Sequence, residues 1–295
     1  MFTDPLLAAL AAIHRRGSLD LAAASLGVTP SAISQRLKLL EERMGCVLIR
    51  RGQPCTATAP GLRLIRHHDE VGLLQARLAH DLPQLDAGPA IIRIAVNADS
   101  LATWVIPALA ATSGMLFDLV IDDQDHSQDW LRRGEVAAAI TSHPGPLQGC
   151  DTLPLGALRY HATASPGYLA RWMPDGPTRS VLTRAPALTF SDKDRLQGNW
   201  VSRHFGAGIT FPTHRLASSQ GFVDAALAGL GWCLNPEPMA APHLAQGRLQ
   251  CLIPQTPLDV PLYWQYSRLT AQALAPLTAA MRREAARVLI TAPQR

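Results

Sequence analysis

Ser18-Leu19-Asp20-Leu21-Ala22-Ala23-Ala24-Ser25-Leu26-Gly27-Val28-Thr29-Pro30-Ser31-Ala32-Ile33-Ser34-Gln35-Arg36-Leu37-Lys38-Leu39-Leu40-Glu41 is punctuated as two helices around a tight turn. Ser18 is a capping residue, and Leu19, Ala22, Ala23 and Leu26 follow at helical spacing. Gly27 then supplies the left-handed position of a turn. Thr29 caps the next helix, with Pro30 at its first position, where a missing N–H costs nothing. Two short helices joined by a glycine turn predict a helix-turn-helix. Upstream, Leu6, Leu7, Leu10 and Ile13 predict a further helix that Gly17 ends.

The helix opened by Thr29 has two unlike faces. Ile33, Leu37, Leu40 and Met44 lie on one, while Ser31, Ser34, Gln35 and Lys38 lie on the other with Arg36 beside them. Hydroxyls, an amide and cations are the groups that hydrogen-bond base edges and phosphates in a major groove. Any surface helix has a polar face. The glycine turn, the Thr-Pro cap and a local basic excess together favour DNA binding here. Downstream, Val47–Arg51, Gly52-Gln53-Pro54 and Thr56–Thr58 predict a two-stranded wing. Its tip can set Arg50 or Arg51 against a phosphate or in the minor groove, although such arginine pairs are often only solvated surface.

The whole chain of 295 residues is 47% hydrophobic and 17% charged, enough for two packed domains. Its formal net charge of +4 is too small to announce a nucleic-acid partner, but its distribution is uneven. Residues 1–58 carry seven Lys/Arg against four acids, residues 59–87 three against four, and the remainder seventeen against fifteen. No apolar run approaches the ~18 residues of a membrane helix, and Arg15 and Arg16 follow the first apolar run instead of preceding it. A cytoplasmic protein without membrane partners is expected. Cys46, Cys55, Cys150, Cys233 and Cys251 are widely spaced, which predicts neither a disulfide framework nor a metal site.

Leu64, Val71, Leu74, Leu78, Leu82 and Leu85 form a near-heptad on a linker over residues 59–88, and Pro83 and Gly88-Pro89 end it. A seam of this kind packs against either the chain's own domain or a second copy. A dimer is favoured, because a two-fold protein reads two half-sites. Beyond it the periodicity changes. Strands are expected at Ile91–Val96, Leu116–Ile121 and Val136–Thr141, alternating with helices as in a parallel doubly wound sheet. Ligands of such sheets bind beyond the carboxyl ends of the strands. This nominates Asn97–Ser100, Asp122–Asp125 and Thr141–His143. Six of the fifteen acids beyond residue 87 fall within 118–135, and Asp122, Asp123 and Asp125 are the tightest group. Such a cleft suits an amino acid with extra positive charge, unless Asp125 merely caps the next helix and the others form a solvated turn. A second lobe follows, with strands at Arg159–Ala164, Ala187–Phe190, Trp232–Leu234 and Leu262–Tyr266, a helix capped by Ser218-Ser219, and a last helix over 271–289. Two crossovers between lobes predict a hinged cleft like that of periplasmic solute-binding proteins.

The run Ser18–Glu41 resembles the N-terminal signature of LysR-type transcriptional regulators. The resemblance implies that the third helix is the recognition helix and that Thr58-Ala59-Pro60-Gly61 leads into a long linker helix. It nominates Thr29, Pro30, Ser31, Ser34, Gln35, Arg36, Lys38, Arg50 and Arg51 for DNA. Val96–Trp104, Asp122-Asp123-Gln124-Asp125-His126, Leu131–Val136, Leu147–Cys150 and Pro154-Leu155-Gly156 resemble the ArgP/LysG-type branch of that family, so the likeness covers nearly the whole chain. That branch senses lysine and arginine and activates genes for basic amino-acid exporters. The likeness implies an activator that works with RNA polymerase, needs no cofactor or metal, and is a homodimer or homotetramer. Its effector-site candidates are Asn97, Ser100, Asp122, Asp123, Asp125 and Thr141. Phe190–Gln197 resembles a further motif of the branch that faces the same cleft. It departs at Asp192, where a basic residue is usual; this leaves the effector preference open, a more cationic ligand being one outcome of the extra acid.

The resulting architecture is an all-α winged helix-turn-helix over 1–58, a linker helix over 59–88 and a two-lobed α/β sensor over 89–295. Lobe 1 is expected over about 89–160 and 265–295, and lobe 2 over about 161–264. An enzyme is disfavoured: His126 stands between Asp125 and Ser127, but there is no G-x-S-x-G elbow, H-E-x-x-H helix or phosphate-binding loop.

Overall fold

Thr29 opens the third helix of the computed structural model, its hydroxyl accepting the Ala32 N–H at 3.2 Å. The structure describes residues 4–82 and 90–291, so the linker-ending Pro83 and Gly88-Pro89, and Leu85 of the heptad, lie outside the described residues. Three helices, α1 (Asp4–Arg16), α2 (Leu19–Ser25) and α3 (Pro30–Met44), enclose one core of Leu10, Ile13, Ala22, Ile33, Leu37 and Leu40. Gly27 has φ +64° at the turn between α2 and α3, a conformation that costs glycine nothing. Strands β1 (Ile49–Arg50) and β2 (Thr56–Ala57) pair antiparallel as the wing. The Glu41 carboxylate of α3 accepts the N–H groups of Leu48 (2.7 Å) and Ile49 (3.2 Å), which ties the wing to the helix beside it.

Helix α4 (Ala59–Asp81) starts at Thr58, whose hydroxyl accepts the Gly61 N–H at 3.3 Å and donates to the Val47 carbonyl at 2.8 Å. Its apolar positions divide between partners. Leu64 and Ile65 pack on the first core, and Leu73 packs on the core of the sensor. Leu74, Leu78 and Leu82, spaced at i, i+4 and i+8, remain exposed.

The sensor contains β3 (Ala90–Val96), α5 (Ala98–Ser100), a π-helical turn at Leu101–Val105, α6 (Ile106–Ala110), β4 (Met115–Ile121), α7 (Ser127–Arg133) and β5 (Ala138–Thr141). It continues through β6 (Cys150–Ala164), α8 (Pro166–Trp172), α9 (Arg179–Leu182), β7 (Ala187–Thr189), α10 (Leu196–Phe205) and β8 (Thr213–Arg215). The last elements are α11 (Ser219–Leu227), β9 (Cys233–Pro236), α12 (Glu237–Ala245), β10 (Gln250–Cys251), β11 (Leu258–Ser267) and α13 (Ala275–Val288). Strands β4, β3 and β5 are parallel neighbours, as the alternation of strands and helices predicts. The sheet is not parallel throughout. β11 joins β5 antiparallel, and β6 joins β11 antiparallel, so the seven strands form a mixed sheet across both lobes.

The expected strand at Arg159–Ala164 is only the end of β6, which begins at Cys150. Pro154 and Gly156 hide its first half from sequence reading, because both residues argue against a strand interior. Here they sit at a register shift opposite Leu262 and Tyr263, a bulge that absorbs the missing donor. Gly156 has φ +129°, and a Cβ there would press on the Ile290 carbonyl at 2.7 Å. One core runs through both lobes, with Trp104 and Trp264 on one side and Trp200 and Trp232 on the other, all at most 1% exposed. Among the described residues no helix is long and apolar enough to cross a membrane.

Gly61 tests the junction of wing and linker, because a Cβ at this buried position overlaps the Leu48 carbonyl oxygen. Gly61→Ala is expected to destabilise the protein by about 1–3 kcal/mol, as overpacking against backbone does. Urea unfolding of the full chain measures it, and an unchanged midpoint would remove the close approach from the account.

Candidate functional site

The outer face of α3 is open. Thr29, Pro30, Ser31, Gln35 and Lys38 are exposed, and Ser34 and Arg36 are half-buried beside them. Lys38 keeps 78% of its side chain exposed while resting 3.7 Å from Glu42 one turn on, a pair too solvated to hold the ammonium back from a stronger anion. Glu41 faces inward to the wing, so it adds no free carboxylate to this surface. Arg50 and Arg51 are exposed at the end of β1. The first helices reach the sensor through His14. Its Nδ1 accepts the Ala57 N–H of the wing at 3.2 Å, and its Nε2 lies 3.7 Å from Glu135 after α7. A salt bridge from Arg15 to Asp69 ties α1 to α4.

The second site is a cleft of about 400 Å³ between the lobes. From lobe 1 it is lined by Asn97 and Asp99 beyond β3 and by Asp122 and Asp123 beyond β4. Asp192, Lys193 and Asp194 face them from the loop before α10, with Phe190 and Phe222 as apolar walls. Five aspartates and one lysine therefore line it. Asp99 spans the lobes: its carboxylate accepts the Tyr160 hydroxyl of β6 at 2.9 Å and the Ser219 hydroxyl of α11 at 2.6 Å. Burial pushes the Asp99 carboxyl up, against the pull of these two bonds.

Asp122 behaves differently. Burial alone would raise it, but the hydrogen bond from Lys193 Nζ (2.8 Å), that from Trp130 Nε1 (2.8 Å), the Asp123 N–H (2.9 Å) and the charge of Lys193 together hold it below the usual carboxylate range. Trp130 is itself stacked by the Arg133 guanidinium 4.7 Å from its ring centroid. Asp123 lacks such partners. Burial, only partly offset by the Asp125 N–H at 2.8 Å and reinforced by the charges of Asp125 and Asp194, pushes its carboxyl up to about 6. Burial also raises Asp194, whose oxygens accept the N–H groups of Phe190 and Leu196.

The other nominated residues are placed around this cleft in different ways. Asn97 lines it at 3% exposure, with neither amide atom partnered among the described residues. Ser100 and Thr141 are fully buried and do not line it. Thr141 donates to the Gln124 carbonyl at 3.1 Å and accepts the His143 N–H at 3.2 Å, so its hydroxyl braces the turn after β4. Asp125 is exposed, with its carboxylate on Ser142. It does not cap α7, since His126 is the capping residue and makes no side-chain cap bond. Asp192 sits on the rim, 78% exposed and paired with Arg215 at 2.6 Å. Asp99 lies in the nominated segment after β3, and Lys193 and Asp194 lie in the Phe190–Gln197 motif, but none of the three was an effector-site candidate in its own right, and Tyr160 and Ser219 lay outside every nominated segment. The alternation of acid and base in Asp192-Lys193-Asp194 was the available local signal. No local signal places Ser219 against Asp99.

Residues 5–62 match the model of the bacterial regulatory helix-turn-helix protein, lysR family, and residues 88–288 match the LysR substrate binding domain. The HTH-type transcriptional regulator LysG of Mycobacterium tuberculosis is 42% identical over 282 residues, which cover 94% of this chain and 92% of that protein. The crystal structure of ArgP from Mycobacterium tuberculosis is similar with a TM-score of 0.82 at 40% identity, covering 99% of this chain and 100% of that one. Full-length LysG from Corynebacterium glutamicum, with arginine bound as effector, has a TM-score of 0.69 at 35% identity, covering 98% and 100%. The chain belongs to the LysR family of bacterial helix-turn-helix transcriptional regulators.

Proposed function

We propose that this regulator reads double-stranded operator DNA with α3 and the wing, under control of a basic amino acid, lysine or arginine, held in the interlobe cleft. The observation that carries the reading is the lining of that cleft: five aspartates against one lysine. Burying carboxylates together is costly unless a cation joins them. A guanidinium or ammonium with a second amino group satisfies several at once, while a neutral or acidic ligand brings no cation to Asp99, Asp123 and Asp194. Arginine in the similar LysG structure supports the same ligand class. Asn97 adds a donor and an acceptor suited to the polar end of an amino acid. We include in the proposal the positive sign of control, an exporter gene as target, RNA polymerase as partner and the cytoplasm as compartment, which are what the resemblance to the ArgP/LysG-type branch implies. The open stripe of Leu74, Leu78 and Leu82 suits a helix-helix seam between two copies, which would present two reading heads to two half-sites.

On the DNA side, replacing Ser34, Gln35 and Lys38 together by alanine is expected to abolish discrimination between operator and random duplex without lowering the unfolding midpoint. Arg51→Ala, by contrast, should weaken all sequences alike and lower the slope of log affinity against log salt by about 1. Fluorescence anisotropy at several salt concentrations separates the two effects, and retained operator preference in the triple variant would sink the assignment.

On the sensor side, calorimetry should rank arginine or lysine above histidine and neutral amino acids. Asp122→Asn is expected to weaken the preferred ligand by about tenfold or more, the scale of one charged hydrogen bond. Tightest binding by a neutral amino acid would favour a sensor of the same fold with a non-basic effector.

Affinity should also depend on pH through Asp123. A cation prefers the ionised carboxylate, so affinity is full above pH 7 and falls as pH drops through about 6. The loss is at most about tenfold per pH unit. Binding near pH 6 then releases a proton, seen as an enthalpy that changes with the buffer, and Asp123→Asn flattens the profile.

A further inference from the structure

Lys193 is the only cationic side chain among the described residues lining the cleft, and it bridges the lobes. Its Nζ lies 2.8 Å from Asp122 Oδ1. The two partners differ in freedom. Asp122 is 14% exposed and fixed from behind, since Trp130 Nε1 holds Oδ2 and the Asp123 N–H holds Oδ1. Lys193 is 51% exposed on a four-carbon stem, and its ammonium can swing by several ångströms while the backbone stays in place. The ammonium end of the pair is open to water, which screens it and lets it exchange partners.

An amino acid entering the cleft brings a carboxylate as well as its cations. Beside Asp99, Asp122, Asp123 and Asp194 that carboxylate is repelled, and among the described residues lining the cleft Lys193 alone offers it a charge of opposite sign. Asn97, 3% exposed with both amide atoms unpartnered among the described residues, marks the same cleft as built for a polar ligand and not as a solvated acidic turn. The charges then balance by exchange. The ligand's side-chain cation takes Asp122, and the released ammonium takes the ligand's carboxylate. A diamine that lacks the carboxylate offers nothing in return for the displaced lysine.

We infer that Lys193 is the specificity-determining residue that makes the cleft select a basic amino acid over its decarboxylated amine, by trading Asp122 for the ligand's α-carboxylate. The inference rests on the reading of the cleft as a basic amino-acid site.

The test is calorimetry on the full-length protein with L-arginine and agmatine, and in parallel with L-lysine and cadaverine. Each pair differs in the presence of the α-carboxylate. Wild type is expected to bind the amino acid at least about tenfold more tightly than the amine, the scale of one charged hydrogen bond. Lys193→Met should bring that ratio close to one, with the amine bound more tightly than by wild type and the amino acid more weakly. Lys193→Arg, which keeps the charge, should retain the preference. A lysine that only clamps the lobes changes both ligands by the same factor, so an unchanged ratio in Lys193→Met overturns the inference while leaving the basic amino-acid site intact. If wild type binds none of the four ligands, the reading of the cleft fails and the inference falls with it.

Discussion

Strands β6 and β11 run side by side from Leu258 against Tyr160 to Ser267 against Cys150, and the whole sensor is hung on that antiparallel pair. At one end β11 hands on to β5 and the parallel strands of lobe 1, and at the other β6 takes β9 and β10 of lobe 2. The backbone bonds of the pair limit how the lobes can move. The register shifts at Leu262/Tyr263, and the lobes cannot slide apart without breaking the ladder. Tyr160 stands on this pair and donates to Asp99, so the floor of the cleft is attached directly to the element that joins the lobes. A ligand that draws the lobes together acts on this connection.

The cleft carries a tension that its neighbours only partly relieve. Trp130, Lys193 and a backbone N–H keep Asp122 ionised, while burial drives Asp99, Asp123 and Asp194 toward their neutral forms. Carboxyl groups left in this condition favour an incoming cation more than fully paired ones would, because the cation removes a standing cost. The reading head is built the opposite way. On α3 the wing backbone takes Glu41 and Glu42 rests 3.7 Å from Lys38, so the basic groups of its outer face meet the outside with little opposing charge. The modest net charge of the chain therefore conceals two sites of opposite sign.

Communication between them has a short physical route in the tertiary structure. His14 touches both the wing at Ala57 and the sensor at Glu135, Arg15 holds Asp69 of α4, and Leu73 of α4 enters the sensor core. The near-heptad predicted only that α4 would have an apolar seam. In the fold that pattern divides: Leu64 serves the head, and Leu74, Leu78 and Leu82 stay open. Periodicity can identify apolar positions on a helix, but it does not say which neighbour each one meets.

What sequence alone determined about this protein is what depends on residues within about one helical turn of each other. The Thr29-Pro30 start, the left-handed Gly27 and the apolar stripe of Ile33, Leu37 and Leu40 are contests between adjacent groups, and their outcome can be read locally. The three parallel strands of lobe 1 and the acidic segment beyond β4 were legible for the same reason. Only the tertiary structure decided which polar residues face the interlobe cleft. Thr141 looks like a site residue after a strand, yet it turns inward to the Gln124 carbonyl. Lys193 meets Asp122 across 71 positions of sequence, and Ser219 meets Asp99 across 120. Those pairings exist because β6 and β11 bring the two lobes face to face, and no local preference of the chain encodes that distance.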